Sequence, residues 1–327
     1  MNNDFCWVTV SKRAFDDEKL KRLTAYDPAG IRFNSGRNPL DWIEQKISKL
    51  ITYGYPADRI FIDIGNKKTR VQTDERKMVV NGQFITIGKT NADLKIRDDG
   101  FLSSIECEDI VVFGDGQIEC QVEQTRENIV KLKVLNNGEI SNGTPVCTKG
   151  KSVRHFEIVD EREIQKIVDK HHVSLILSFV ETVNNILRSE RTFNTTIIPK
   201  IETIKAVENL DEIVQCSGKV IIGRGDLALA FGHEQIGKIQ EYILKHTKEA
   251  IIATGSLISL LYGQVPTQAE IVDVTNSAMK AAGILLTDET AKAADPFLAI
   301  EWLDKIVNTA INPIYPRGHK SGMNSFD

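Results

Sequence analysis

The stretch 198–203, Ile-Pro-Lys-Ile-Glu-Thr, places an ammonium and a carboxylate two positions apart at the end of a β-branched run. Alternation along an extended backbone puts Lys200 and Glu202 on the same side. A later apolar run leads into Gly-Arg-Gly-Asp, which supplies a second carboxylate, Asp226, and a glycine, Gly225, that lets backbone amides approach an anion closely. Two hard carboxylates without a neighbouring His or Cys suit Mg2+ or Mn2+.

Three cations accompany these carboxylates, and each follows or ends an apolar run: Arg32, Arg70 and Lys200. Such side chains suit phosphate oxygens. A divalent metal, several cations and an amide nest are together the equipment of phosphoryl transfer, in which a protein mainly positions groups and neutralises charge. Each residue also has a structural interpretation: a rim ion pair for Lys200 with Glu202, a helix cap for Asp226, and rim charges for the two arginines. Their joint occurrence at successive strand ends favours a site.

The elements that must position these groups repeat eight times. Short apolar runs, each followed by an amphipathic stretch, occupy residues 5–10, 30–33, 60–64, 173–179, 195–200, 219–222, 250–254 and 283–287. Helical patterns lie at 40–51, 161–171, 236–247 and 268–282. Eight buried strands alternating with helices predict an α/β fold, a (β/α)8 TIM barrel. The candidate residues then gather at the C-terminal ends of the strands, where barrels of this kind carry their chemistry.

One interval departs from this alternation of strand and helix patterns. Residues 71–152 show strand-like alternation and turn signals such as Asn81-Gly82 and Asn137-Gly138. We therefore predict a small β-barrel domain inserted after the third barrel strand. The expected division is 1–70 for the first part of the barrel, 71–152 for the insertion, 153–311 for the second part, and 312–327 for a tail.

Composition narrows the class of protein. The chain has 327 residues and a net charge of −4, which argues against a nucleic-acid partner bound through bulk charge. Its five cysteines form no C-x-x-C pair and are expected to be free thiols in a reducing compartment. We find no signal-peptide pattern, and no apolar run approaches the ~20 residues that cross a bilayer. These features predict a cytoplasmic protein without a membrane partner.

The motifs resemble those of the pyruvate kinase family, most closely over residues 198–300. "PKIET" resembles the family's S-K-I-E, "GRGDLAL" its A-R-G-D-L-G, "PTQAEIVDVTNSA" its P-T-R-A-E-x-x-D-V-A-N-A-V, and "LTDETAKAADP" its L-S-G-E-T-A-K-G-x-x-P. "GIRFNSG", "IDIGNKKTR" and "VFGDGQI" match more weakly but in the same order. The resemblance implies a catalytic barrel with a lid domain, and transfer of phosphate from phosphoenolpyruvate to ADP, giving pyruvate and ATP.

The resemblance also implies roles for the enolate half of the site. Glu202 and Asp226 would bind Mg2+ (or Mn2+), and Lys200 would stabilise the transferring phosphoryl group and the enolate. Thr254 would stand near the substrate carboxylate and the proton relay. The amides of Gly225 and Asp226 would bind that carboxylate, and Arg32 would hold phosphate.

The nucleotide half departs further from the family pattern. Arg70 would reach the phosphates of ADP or ATP from the base of the lid, and three further residues are expected to bind the cofactor: Asn34, Thr287 and Lys149. Lys68 stands where potassium-dependent members have Glu. A fixed ammonium there, near Asp63, is expected to replace the monovalent cation and make the activity K+-independent.

Because the chain stops after the barrel, the resemblance implies that the family's C-terminal regulatory domain is absent. We expect no sugar-phosphate allostery and a monomer or barrel-mediated homodimer. Two alternatives stay open. One is a Mg2+-dependent lyase or decarboxylase of a 2-oxo acid that uses the same enolate site, and the other is a non-catalytic homologue.

Overall fold

The computed structural model describes residues 5–65, 68–114, 116–126, 129–151 and 158–311. The strands among these residues are, in chain order, β1 (Cys6–Val10), β2 (Gly30–Asn34), β3 (Ile60–Ile64), β4 (Val71–Gln72), β5 (Lys77–Val79), β6 (Phe84–Gly88), β7 (Leu94–Ile96), β8 (Ile110–Phe113), β9 (Ile118–Arg126), β10 (Ile129–Val134), β11 (Gly138–Ile140), β12 (Val146–Thr148), β13 (Ser174–Leu177), β14 (Ile197–Ile201), β15 (Val220–Gly223), β16 (Ala250–Ala253) and β17 (Gly283–Leu286).

The helices of the same residues lie mostly between the barrel strands. They are α1 (Asp17–Tyr26), α2 (Leu40–Thr52), α3 (Asp99–Ser104), α4 (Glu161–His171), α5 (Val183–Phe193), α6 (Ile204–Glu208), α7 (Leu210–Ser217), α8 (Arg224–Phe231), α9 (Ile236–His246), α10 (Gln268–Lys280), α11 (Asp288–Ala291) and α12 (Phe297–Ile311). No helix among the described residues is both long and apolar enough to cross a membrane.

Eight parallel strands form a closed barrel in the order β1-β17-β16-β15-β14-β13-β3-β2. The predicted α/β class and TIM barrel are therefore confirmed, and each predicted strand overlaps an observed one. The outer faces of the strands pack against the helices in one large apolar core. This packing explains why the strands read as continuous apolar runs, since both of their faces are buried.

A second, smaller apolar cluster fills the barrel interior. Its members are Trp7, Phe61, Ile176, Ile198, Ile221, Ile251, Ala253 and Leu285. Side chains alternate along a strand, so the residue two positions on faces the same way, one layer nearer the C-terminal end. Thr9, Asp63, Ser178 and Lys200 each occupy such a position, and all four are buried. The polar layer of the barrel therefore follows directly from the apolar layer beneath it.

The insertion lies between β3 and β13. It consists of a seven-stranded sheet in the order β12-β8-β9-β10-β6-β7-β4 and a two-stranded sheet of β11 and β5, around its own apolar core. The two ends of the larger sheet are joined by an antiparallel bridge between Arg70 and Pro145. Four strands of two or three residues, β4, β7, β11 and β12, were not predicted, because such short segments show no measurable alternation.

Candidate active site

The polar layer opens into a cavity of about 620 Å3 at the C-terminal ends of the barrel strands. Eight Lys or Arg residues and five Asp or Glu residues line it among the described residues. The resulting surplus of positive charge contrasts with the net charge of −4 of the whole chain. A concave site of this sign suits a small anionic ligand.

Asp63, at the end of β3, is a buried anion shared by several neighbours. Its Oδ2 accepts from Arg32 Nε at 2.8 Å and lies 2.6 Å from Arg32 NH2 and 3.5 Å from Lys200 Nζ. Its Oδ1 accepts from Ser178 Oγ at 2.7 Å. Burial by itself would raise the pKa of the Asp63 carboxyl, but Lys200 and Arg32 outweigh burial and hold this pKa below its usual value. The pairing fixes the orientation of both cations.

Lys200 and Glu202 lie side by side, as the alternation along β14 predicts. Lys200 Nζ is 2.6 Å from Glu202 Oε1 and donates to Ser178 Oγ at 3.0 Å. The other carboxylate oxygen of Glu202 accepts from the amide of Phe179 at 2.9 Å. Burial lowers the pKa of Lys200, but the charges of Asp63 and Glu202 reverse this effect and raise it above the usual value. Lys200 is therefore held as a charged ammonium in a desolvated position.

Asp226, in the first turn of α8, faces the same region. Burial and the like charge of Asp226 raise the pKa of Glu202, against the opposing effect of Lys200. The pKa of Asp226 is lowered in spite of burial, mainly because Lys68 lies against it. Two hard carboxylates that repel each other fit a divalent cation, which would remove the repulsion. The described residues contain no group of three or more potential His, Cys, Asp or Glu ligands, so water or substrate oxygens would have to complete the shell.

Close backbone approach shapes this corner of the cavity. Gly223, the last residue of β15, packs directly under Glu202: a Cβ there would lie 2.5 Å from Glu202 Cγ and 2.7 Å from Glu202 Oε1. Gly225 follows in the first turn of α8, where a Cβ would meet Thr254 Cγ2 at 3.4 Å. The amides of the first turn have no partner within the helix and point towards the cavity end of α8.

Thr254 follows β16 with a φ of +81°, a conformation that a β-branched residue rarely adopts. Its carbonyl accepts from Arg224 Nε at 2.9 Å. Arg224 is itself held by both carboxylate oxygens of Asp273, at 2.9 and 2.8 Å, and by Ser256 Oγ at 3.1 Å. This network stabilises a strained backbone at the mouth of the barrel.

The structure brings nearly all predicted site residues to one cavity. The lining residues include Arg32, Asn34, Asp63, Lys68, Arg70, Lys200, Glu202, Gly225, Asp226, Thr254 and Thr287. Lys149 is not among them: it lies on the inserted sheet, with its Nζ 3.0 Å from Glu119 Oε1. Lys68 and Asp63, which were predicted to act together at a monovalent-cation position, have different partners. The Lys68 ammonium contacts Asp226 at 2.5 Å, whereas Asp63 is neutralised by Arg32 and Lys200.

Sequence reasoning missed two kinds of residue at this site. Thr9, which accepts from Arg32 NH1 at 3.1 Å, and Ser178 belong to the polar layer. Both could have been found by counting two positions on from the inward-facing Trp7 and Ile176. The second kind is a group of cations that line the cavity and have no periodic signal, because they lie in the loops after β1 and β2 and just after the short helix α11: Lys12, Arg13, Arg37 and Lys292.

The fold and the cavity define a (β/α)8 barrel with a β-sheet insertion and a cationic, carboxylate-containing site. Residues 56–300 match the family model described as "Pyruvate kinase, barrel domain". The chain belongs to the pyruvate kinase family.

Curated relatives and a solved structure agree with this assignment. The chain is 30% identical over 304 residues to the pyruvate kinase of Aeropyrum pernix, covering 89% of this chain and 65% of the relative. It is 28% identical to that of Pyrobaculum aerophilum, covering 89% and 67%. The chain thus spans about two thirds of the length of these relatives, and slightly less for the first. The crystal structure of pyruvate kinase from Pyrobaculum aerophilum shares the fold with a TM-score of 0.79 at 24% identity, over 94% of this chain and 73% of that chain.

Proposed function

We propose that the chain is a phosphotransferase of the pyruvate kinase type. It would move a phosphoryl group between phosphoenolpyruvate, or a close enol phosphate, and a nucleotide, with Mg2+ or Mn2+ as cofactor. The observation that carries the proposal is the buried Lys200 ammonium, 2.6 Å from Glu202 and beside Asp226, in a cavity with surplus positive charge. The family assignment supports the same conclusion.

In the direction that forms ATP, the bond between phosphorus and the enol oxygen breaks and a bond to the terminal phosphate oxygen of ADP forms. The enolate that remains gains a proton at its methylene carbon and becomes pyruvate. Glu202 and Asp226 would hold the Mg2+, which would neutralise charge on the phosphoryl and enolate oxygens. Lys200 adds a fixed positive charge that is stronger in this desolvated position than in water. Arg32, oriented by Asp63 and Thr9, would bind the phosphate.

The N-terminal end of α8 and Thr254 would bind the carboxylate end of the substrate. The amides of Gly225 and Asp226 lie in the first turn of α8, where an anion is favoured by free N–H groups and by the helix dipole. A substrate carboxylate at this position would lie next to Thr254, whose hydroxyl could pass a proton towards the enolate. Gly225 permits this approach because its backbone lacks a Cβ.

The nucleotide would bind at the side of the cavity that faces the insertion. Arg70, Asn34 and Thr287 line that cavity and are proposed to contact ADP or ATP. We propose that residues 71–152 act as a lid on a barrel formed by 1–70 and 153–311. In support, Gly116 of the insertion packs so closely on His233 of the barrel that a Cβ would overlap the imidazole. Lys149 lies on the same lid, and its contact with nucleotide remains a prediction.

We also propose that turnover does not require K+. Asp63 is already neutralised by Arg32 and Lys200, and Lys68 places an ammonium in the same cavity. A monovalent cation therefore has no uncompensated carboxylate to bind at Asp63.

The test is pyruvate formation from phosphoenolpyruvate, ADP and Mg2+, in K+ and in tetramethylammonium. We expect similar turnover in both salts, and no turnover for Lys200→Met. Lys205→Met is the matched control, because Lys205 is 55% exposed in a surface pair with Glu181. Equal rates for Lys200→Met and the control would remove Lys200 from the mechanism. Absent turnover with intact Mg2+-dependent binding of oxalate would favour the alternative of a 2-oxo acid lyase.

A further inference from the structure

Lys68 lies four residues after the end of β3, and its ammonium lies against a proposed metal ligand. Lys68 Nζ is 2.5 Å from Asp226 Oδ1 and 5.9 Å from the centre of the Phe179 ring. The side chain of Lys68 is 32% exposed and that of Asp226 is 17% exposed. The pair is therefore partly screened by solvent, and the long lysine side chain can leave it.

The two proposed metal ligands are neutralised in different ways. Glu202 is paired with Lys200, which is also tied to Asp63 and Ser178. Lys68 is the salt-bridge partner of Asp226 among the residues that the structure describes, and its Nζ forms no hydrogen bond there other than the one to Asp226. Lys200 is thus held in place by three polar groups, whereas among the described residues Lys68 has one polar partner, Asp226, and the more distant face of the Phe179 ring.

A divalent cation cannot bind Asp226 at full strength while an ammonium occupies the same oxygen. Binding at full strength would require the ammonium to leave this carboxylate, and it would then lie in a cavity whose surplus of positive charge suits an anion. We propose that Lys68 couples the binding of the divalent cation to that of the phosphorylated substrate. Without substrate, Lys68 competes with the metal for Asp226; with substrate, the phosphate takes the ammonium and frees the carboxylate.

This coupling rests on the proposed function, because it needs both a metal at Glu202 and Asp226 and a phosphorylated substrate beside them. It is reciprocal by thermodynamic necessity: the factor by which substrate raises metal affinity equals the factor by which metal raises substrate affinity. Coupling between two sites commonly amounts to between 5- and 150-fold, and for one partly exposed ion pair we expect about tenfold.

The experiment measures Mn2+ affinity by the electron paramagnetic resonance of free Mn2+, with and without phosphoenolpyruvate and in the absence of nucleotide. The proteins are the wild type, Lys68→Gln and Lys292→Gln. Lys292 lines the same cavity but pairs with Asp288, which is not a proposed ligand. Lys292→Gln therefore corrects for the loss of one positive charge from the cavity.

Without phosphoenolpyruvate, we expect Lys68→Gln to bind Mn2+ about tenfold more tightly than the wild type, and Lys292→Gln to differ by about twofold or less. Phosphoenolpyruvate should raise the Mn2+ affinity of Lys68→Gln by a smaller factor than it raises that of the wild type. The coupling would be overturned if Lys68→Gln and the wild type bound Mn2+ equally tightly without phosphoenolpyruvate. It would also be overturned if Lys68→Gln and Lys292→Gln increased Mn2+ affinity by the same factor.

A further variant separates this inference from the proposed function. Asp226→Asn should lose most of its Mn2+ affinity if the metal assignment is right. Wild-type affinity in Asp226→Asn would overturn the metal site itself, whatever Lys68 does. Far-ultraviolet circular dichroism of each variant verifies that the barrel has folded.

Discussion

Gly223→Ala is the most direct test of how the backbone positions Glu202. The φ of Gly223 is −86°, an ordinary value for any residue, so alanine introduces no backbone strain. The added Cβ would lie 2.5 Å from Glu202 Cγ, whereas carbon atoms in contact are about 3.5 Å apart or more. Glu202 must therefore move by about 1 Å, away from contacts at 2.6 Å with Lys200 and 2.9 Å with the amide of Phe179.

Two magnitudes follow from this displacement. Inserting a methyl group into a close-packed region costs about 1–3 kcal/mol of folding free energy, so we expect a loss of about 2 kcal/mol. A misplacement of about 1 Å at a reacting centre costs about 100-fold in rate, and we expect turnover to fall by at least that factor. Mn2+ affinity should fall as well, because Glu202 is a proposed ligand.

The assays are urea unfolding, Mn2+ binding and pyruvate formation, with Gly237→Ala as control. Gly237 lies in α9, and a Cβ built there would meet no atom within 4 Å apart from the neighbouring backbone of its own helix. Alanine should therefore be neutral or stabilising by up to about 1 kcal/mol. The cost of Gly223→Ala should also shrink in a Glu202→Ala background, because the clashing atoms are then absent. Wild-type turnover and Mn2+ affinity in Gly223→Ala, or an unchanged cost in that background, would refute this account.

Three further predictions concern residues outside the proposed set of substrate and metal ligands. Burial by itself would raise the pKa of Glu270, but hydrogen bonds from hydroxyls and amides outweigh burial and lower this pKa below its usual value. The ionised form of Glu270 therefore stabilises the fold at neutral pH. This stability is lost as the pH falls through the lowered pKa. Glu270→Gln should therefore cost about 1–3 kcal/mol at pH 7 and progressively less in urea titrations below about pH 4; a pH-independent difference would contradict the ionic origin. Asp273→Asn should loosen Arg224 and lower kcat about tenfold, or ~1.4 kcal/mol, with Mn2+ affinity unchanged; steady-state kinetics and Mn2+ titration verify both, and a parallel loss of Mn2+ affinity would refute the separation. Burial raises the pKa of the Cys6 thiol, so at pH 8 a maleimide should label the exposed Cys107 well before Cys6. Mass spectrometry of the labelled protein would show it, and comparable labelling of the two thiols in the native state would contradict the burial of Cys6.

Much of the fold could be predicted from the local pattern of apolar and polar residues. Each of the eight barrel strands was placed to within two or three residues, because a buried parallel strand is a continuous apolar run that a helix pattern follows. Helix α4 (Glu161–His171) was predicted with its observed bounds, since apolar positions recur along it with the helical period. Strands β4, β7, β11 and β12 and helix α3 of the insertion were missed, because two to six residues do not establish a period.

Alternation along the barrel strands is enough to predict many of the side chains that face the site. Strands alternate with a period of two and run in parallel, so a polar residue two positions after an inward apolar residue must lie at the C-terminal mouth of the barrel. Lys200 and Asp63 obey this rule, and Glu202 lies two positions further along the same face of the strand. Most of the candidate residues therefore follow from the strand pattern alone.

The pairing of charges between different strands depends on the folded barrel. Asp63 takes its partners from β2, from β14 and from Ser178, the residue that follows β13. Lys68 pairs with Asp226, 158 residues later in the chain. Such pairing depends on how the closed barrel sets its strands against one another and on how far each side chain reaches. Local periodicity carries neither quantity, so the contact of the Lys68 ammonium with Asp226 could not be predicted from it.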